Sequence, residues 1–140
     1  MQGRVLQGPQ CQGIGRSRAL VVHGAAHVRA ALGLGCALLS APGAAGYLGH
    51  AGFLALLRGG GWQGVEPAIL DCGAAPGFGW AALMAGMPWI VLAPCPAWAA
   101  VEQAFPGRVL DRPPPARDLA AWDSSRGDGW LLEWARGPLG

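Results

Sequence analysis

The sequence contains no lysine, asparagine or threonine, and all ten of its basic residues are arginine. Against eight acidic residues they leave a net charge of only +2, and they form no basic stripe along the chain. Proteins that bind nucleic acids neutralise phosphates with clustered Lys and Arg, so we exclude this class of partner. The missing residue types and the abundance of Ala and Gly are easiest to explain by GC-rich coding.

Cysteine is scarce, and no two cysteines form a C-x-x-C pair. The four of them are Cys11, Cys36, Cys72 and Cys95. This spacing excludes a zinc knuckle and a thioredoxin motif. Free cysteine behaves as a small hydrophobic residue, so we predict reduced, inert thiols in a cytoplasmic protein and assign no cofactor.

Charge is absent from two long stretches, Ala30 to Leu57 and Cys72 to Val101, and each is long enough to span a membrane. However, Pro42-Gly43 and Met87-Pro88 divide these stretches into short apolar pieces, which are typical of buried strands and helices. We therefore predict no membrane segment. Residues 1–17 lack the apolar core of a secretory signal and are interpreted as a disordered leader.

The chain does contain a regular alternation of short apolar strands with helical stretches, clearest in residues 68–94. There a buried strand runs to Asp71, a glycine-rich turn and a helix follow, and a second buried strand begins at Trp89. The same pattern predicts five strands, at Arg18–Val22, Cys36–Ser40, Ala68–Cys72, Trp89–Ala93 and Arg108–Leu110. It predicts helices at Ala25–Leu32, Tyr47–Arg58, Phe78–Ala85 and Pro94–Phe105, with a final helical turn or two within Arg117–Trp122.

This alternation predicts one α/β domain over residues 18–122. Short connections and right-handed crossovers favour three layers, with helices on both faces of a five-stranded parallel sheet. The commonest order for such a sheet is 2-1-3-4-5, the flavodoxin-like or receiver-like arrangement, which we expect here. Residues 123–140 are predicted to be a linker and an apolar tail that packs on the domain or on a partner.

Ligands of such sheets bind beyond the carboxyl ends of the strands, where this chain places His23, Ser40 and Asp71. Under the order 2-1-3 these residues would lie side by side. One hypothesis is a hydrolase in which Ser40 is the nucleophile, His23 the base and Asp71 the group that orients the base. The alternative is structural, with Ser40 and Asp71 capping helix starts and His23 filling a loop.

Glycine-rich loops suggest a second kind of site. Gly43, Gly46, Gly73 and Gly77 would bring backbone N–H groups to helix N-termini, an arrangement that binds a small anionic ligand such as phosphate. The loops match neither a P-loop nor the full dinucleotide fingerprint. In a chain with 24 glycines such loops also arise from composition alone.

Two histidines raise the question of a metal. His23 and His27 are four residues apart and could share a helix face, with Asp71 as a third ligand. A helix-capping histidine and a surface histidine explain both residues more simply, so we predict no metal site.

The position of Asp71 at the end of the third strand resembles the phosphoacceptor of response-regulator receiver domains, across the βα pattern of residues 18–122. Receivers also carry an acidic pair after strand one and a Lys after strand five. This chain has His23-Gly24 and Asp111-Arg112 at those places. The resemblance therefore implies a pseudo-receiver that serves protein contacts.

Seven tryptophans are more than a core of this size readily encloses, and exposed aromatic residues gather at interfaces. We predict a homodimer that uses the uncharged helix Phe78–Ala85 and the tail Trp130–Trp134. The preferred function is a binding or interaction module without catalysis of its own. The alternative is a small enzyme, or a binder of a phosphate or nucleotide ligand, with its site at the carboxyl ends of strands one to three.

Overall fold

The structure is a computed structural model that describes residues 14, 18–122, 125, 127 and 129–136. Its strands are β1 (Ala19–Val21), β2 (Ala37–Leu39), β3 (Ala68–Asp71), β4 (Trp89–Val91), β5 (Val109–Leu110) and β6 (Ala116–Asp118). The helices that follow β1 are α1 (Ala25–Ala31), α2 (Gly49–Gly59), α3 (Pro76–Met84), α4 (Trp98–Ala104) and α5 (Gly129–Arg136), with 3₁₀ turns at Ala44–Gly46 and Leu119–Ala121. The five predicted strands and the four helices between them are confirmed. Apart from Ile14, the predicted leader lies outside the described residues.

Proline and glycine set the ends of α3, the helix at the centre of the chain. Pro76 occupies the first turn, where its missing N–H removes no helical hydrogen bond. After the last residue, Met84, the N–H of Gly86 turns back to the carbonyl of Leu83 at 3.1 Å. The nine residues between these signals carry no charge, which bears on how the outer side of this helix can be used.

All six strands are parallel and lie in the order β5-β4-β3-β2-β1-β6. The predicted five-stranded order 2-1-3-4-5 is wrong. From β1 to β5, each crossover carries the chain to the next strand in the same direction. The strand order therefore never reverses within this run, and no switch point lies among β1, β2 and β3, where we expected a ligand. Strand β6 was missed because all three of its residues are exposed and show no apolar alternation.

Right-handed crossovers that always advance in one direction place their helices on one face of the sheet. Buried side chains from α1 to α5 accordingly join a single core cluster with alternate strand residues; they are Val28, Ala31, Phe53, Leu57, Ala82, Leu83, Val101 and Leu131. The other face of the sheet has a separate cluster of strand residues, joined by Ile14. Helices α1 to α5 thus lie on one face of the sheet, and the helical residue Ile14 packs on the other.

The link between β5 and β6 requires the sheet to curve. These strands are at opposite edges, which five strand spacings of about 4.8 Å would place about 24 Å apart in a flat sheet. The six steps from Leu110 to Ala116 span at most about 22 Å. Curving also explains how the strand side chains of the second face, such as Val21, Leu39 and Ile69, bury one another.

The tail forms α5 and packs on its own domain, at β1 and β6. Leu131 is fully buried in the core, and the indole N–H of Trp134 donates to the carbonyl of Ala19 at 3.1 Å. Trp130 is half-buried against the same core. These contacts explain why so apolar a segment can follow the polar stretch that precedes it.

No helix in the described ranges has both the length and the apolar character that crossing a membrane requires. The longest of them, α2, has 11 residues and a length of about 16 Å. The hydrocarbon core of a bilayer is about 30 Å thick.

Candidate functional site

The carboxyl ends of the six strands meet along one edge of the sheet, here called the carboxyl rim. Asp118 ends β6, His23 follows β1, Ser40 follows β2 and Asp71 ends β3. Because the strand order is β3-β2-β1-β6, Ser40 lies between the other two predicted residues, and His23 has Asp118 on its far side. The order 2-1-3 had placed His23 in the middle.

Ser40 and Asp71 form a clamp between the loops that follow β2 and β3. The backbone N–H of Asp71 donates to Oγ of Ser40 at 2.8 Å, and that hydroxyl donates to the carbonyl of Ala41 at 3.1 Å. Oδ1 of Asp71 accepts the N–H of Gly73 at 2.8 Å and that of Gly43 at 3.1 Å. Both side chains are buried, with exposed fractions of 1% and 8%. This geometry supports the structural alternative, in which the two side chains hold loops.

The clamp also uses two of the four glycines predicted to bind an anion. Gly43 and Gly73 have positive φ values of 66° and 57°, which favour glycine, and both donate their N–H groups to Asp71. The N–H of Gly46 donates to the carbonyl of Gly43 at 3.0 Å. Gly77 is exposed in the first turn of α3. The carboxylate of Asp71 therefore takes the place that an external anion would need between the first two loops.

His23 pairs with Asp118, a residue that the sequence analysis did not single out. Nε2 of His23 lies 2.6 Å from Oδ1 of Asp118, and the same oxygen accepts the N–H of Ala120 at 2.8 Å. Within the described part of the chain, no hydrogen bond joins His23 to Ser40 or Asp71, so a joint catalytic role for these three stays a prediction. The signal for Asp118 was its place before L-A-A, since Asp commonly caps a helical turn.

His27 completes this group at the carboxyl rim. Its Nδ1 accepts the backbone N–H of His23 at 3.0 Å, and its ring makes edge-on contacts with the rings of His23 and Trp122. Burial and the neighbouring His23 lower the pKa of His27, although Asp118 opposes them. The lowered pKa and the role of Nδ1 as an acceptor both favour the neutral form of the ring. Among the described residues, no three His, Cys, Asp or Glu side chains are placed to hold a metal ion.

The described cysteines are free thiols, and burial makes two of them unreactive. Burial, with a smaller contribution from Asp71, raises the pKa of Cys72 to about 12. Burial also raises the pKa of Cys36, although Arg18 opposes it. Cys95 is less buried and lines a shallow cavity of about 320 Å³ between the ends of β4 and β5, together with Trp98 and Asp111. Cys11 lies outside the described residues.

The pairing of Asp118 with His23 predicts how the stability of the fold changes at acid pH. Burial raises the pKa of this carboxyl, but the N–H of Ala120 and the ring of His23 outweigh burial and hold the pKa below its usual range. A carboxyl with a lowered folded-state pKa stabilises the fold above its unfolded pKa, and this contribution is lost as the pH falls through the folded pKa. Because half of the side chain is exposed, we expect less than about 1 kcal/mol.

We therefore expect the free energy of unfolding of Asp118→Ala to fall less than that of the wild type between about pH 5 and pH 2. Urea titration at each pH measures both. Asp111→Ala is the control, since its carboxylate is equally exposed and, among the described residues, forms an ion pair only with the neighbouring Arg112. An Asp118→Ala profile parallel to that of the wild type would contradict the prediction.

Comparison of the chain with protein-family models, curated proteins and solved structures finds no match in any of the three.

Proposed function

We propose that this protein is a binding module without catalysis of its own, and that it associates with a second copy of itself through the outer side of α3. The observation that carries the proposal is the exposure of large apolar side chains on this helix. Phe78 is 50% exposed, Trp80 43% and Met84 67%. The buried positions Gly79, Ala82 and Leu83 face the core. Phe78 and Trp80 flank this buried side, and Met84 lies opposite to it.

The apolar surface continues beyond the helix on both sides. Towards α2, the 3₁₀ turn at Ala44–Gly46 lies against the ring of Phe78, and it is followed by Tyr47, which is 73% exposed, and Leu48, which is 37% exposed. Towards α4, the ring of Trp80 packs edge-on against Phe105 at 5.2 Å between centroids. We call Tyr47, Leu48, Phe78, Trp80 and Met84 the α3 face.

A second copy of the chain is the partner that the composition of this face fits. No charged residue occurs between Cys72 and Val101, so the face has no charge pattern with which to select a different partner. Two-fold association sets the same apolar residues against each other and removes both copies of the patch from water. The tail is not needed for this interface, because Leu131 and Trp134 already pack on their own domain.

The alternative, an enzyme or a phosphate binder at the ends of β1 to β3, has weaker support. Ser40 and Oδ1 of Asp71 are already hydrogen-bonded to backbone groups. Ser40 is 1% exposed, whereas a nucleophile must reach its substrate.

The proposal predicts a dimer that one charge on the α3 face disrupts. In Met84→Glu, two-fold symmetry places a pair of like charges in the interface, and we expect the dimer dissociation constant to rise roughly 100-fold or more. Sedimentation velocity across a concentration series measures this constant. The matched control is Val65→Glu, which adds the same charge at an 83% exposed valine in the loop before β3. A wild-type chain that stays monomeric at high micromolar concentration, or equal weakening by both variants, would overturn the proposal.

A further inference from the structure

Arg18 is a buried cation for which the described residues provide no hydrogen-bonded anion. The residue is 9% exposed, and its Nη2 is buried with no hydrogen-bond partner. A buried charge is costly unless it is paired and hydrogen-bonded. Neither ion pair formed between described residues includes Arg18, and its described contact is a cation–π interaction with the ring of Trp134 at 4.3 Å.

Arg108 is an arginine whose hydrogen-bond donors are paired within the fold. Its guanidinium is also partly buried and also stacks on an aromatic ring, that of Phe105 at 5.4 Å. Unlike Arg18, it donates to three backbone carbonyls, those of Leu83, Met87 and Pro88. Stacking and burial alone therefore do not account for the unpaired donor of Arg18.

A second arginine, Arg117, lies against the same indole. Its guanidinium carbon is 5.3 Å from the ring centroid of Trp134. Arg117 pairs with Leu20 across β1 and β6, and Arg18 is two residues before Leu20, so both arginines are on the side of the sheet that faces the helices. The indole is held there by its hydrogen bond to Ala19. Two cations thus share one uncharged ring.

We propose that Arg18 and Arg117 form a binding site for a tetrahedral phosphate dianion, either free or at the end of a phosphomonoester, and that Trp134 covers this site in the unliganded protein. Arginine binds phosphate through charge-assisted hydrogen bonds of about 2.8 Å, which place phosphorus about 4 Å from the guanidinium carbon. The ring centroid of Trp134 lies at 4.3 Å and 5.3 Å from the two guanidinium carbons. A phosphate centred where the indole lies would therefore be near both cations, and each guanidinium would turn its N–H groups towards it.

The site is separate from the α3 face. It lies at β1 and β6 under α5, whereas α3 packs against β4 and its neighbouring helices. Phosphate binding and self-association can therefore fail independently. Binding displaces Trp134, so it loosens α5 from the domain.

Isothermal titration of the full chain at constant ionic strength, with inorganic phosphate and with glycerol 3-phosphate as separate titrants, tests the site. We expect Arg117→Met and Arg18→Met each to weaken binding at least tenfold, and Trp134→Ala to strengthen it because the cover is gone. Arg112→Met, which neutralises an exposed arginine beside Asp111, is the control and should bind as the wild type does. Arg117 is exposed, so its replacement keeps the fold even if that of Arg18 does not.

Binding of both titrants would indicate the phosphate group as the ligand, and binding of the ester alone would indicate phosphomonoesters. Absence of binding for both at millimolar concentration would overturn the proposal, as would equal weakening by Arg112→Met and Arg117→Met. Weaker binding by a folded Trp134→Ala variant would show that the indole belongs to the binding surface and would overturn its role as a cover.

Discussion

Replacing Asp71 by alanine is expected to lower the free energy of unfolding by about 3 kcal/mol. The variant leaves the N–H groups of Gly43 and Gly73 without their shared acceptor, in a place where the carboxylate is 8% exposed. Hydrogen bonds to a charged group contribute about 1.5–3 kcal/mol each, and unpaired buried donors add their own cost. Urea unfolding followed by circular dichroism measures the loss.

Asp71→Asn separates the hydrogen bonds from the charge. Its amide oxygen can still accept both N–H groups, so we expect a loss of about 1 kcal/mol. Acetate added to Asp71→Ala should restore part of the lost stability, because the two backbone donors are left open to a carboxylate; it should do nothing for the wild type. Equal stabilities for the wild type and Asp71→Ala would show that the clamp contributes nothing.

The clamp also connects the carboxyl rim to the proposed interface. Gly43 directly precedes the 3₁₀ turn that lies against Phe78, and Gly73 precedes α3 itself. Asp71 thus fixes the relative position of the two segments that carry Tyr47 and Phe78. A residue that the sequence suggested as catalytic has, in this structure, the geometry of a support for the proposed interface.

The sequence predicted β1 to β5 and the four helices between them because each of these elements carries its own local signal. Buried strands such as Ala68–Asp71 are short apolar runs, and α3 is bounded by Pro76 and Gly86. Strand order carries no such signal. It depends on the direction that each crossover takes. The commonest order of five strands contains a reversal of direction, whereas the crossovers from β1 to β5 in this chain all run in one direction.

The candidate sites also differ in whether a local sequence signal marks them. Asp71 and Ser40 could be found because they end buried strands, and D-C-G is a sequence in which an Asp side chain bonds the backbone two residues on. The pairing of His23 with Asp118 joins residues 95 positions apart, and the contact of Arg18 with Trp134 joins the two ends of the described domain. Both contacts depend on the pairing of β6 with β1. The sequence of β6 does not predict this pairing, because the strand has three residues and all of them are exposed.

Gly60→Ala is expected to destabilise the fold by about 3 kcal/mol, through the contact between α1 and α2. An added Cβ would overlap the Cβ of Val28 and would lie 2.6 Å from its Cγ1 and 2.7 Å from the carbonyl oxygen of Ala25. These atoms belong to α1 or lie next to its backbone, so the helix as a whole must shift. The φ of Gly60 is −88°, which alanine adopts freely, so the loss measures packing and not backbone strain.

Gly59→Ala is the matched control, at the last residue of α2 and one position before Gly60. A Cβ there would meet only the Cβ of Ala25, at an ordinary distance of 3.9 Å. Alanine is favoured over glycine in a helix by up to about 1 kcal/mol, so this variant should be as stable as the wild type or more stable. Urea unfolding measures the stability of the two variants. If Gly60→Ala proved as stable as Gly59→Ala, α1 and α2 could not approach each other as closely as the layer of helices on this sheet requires.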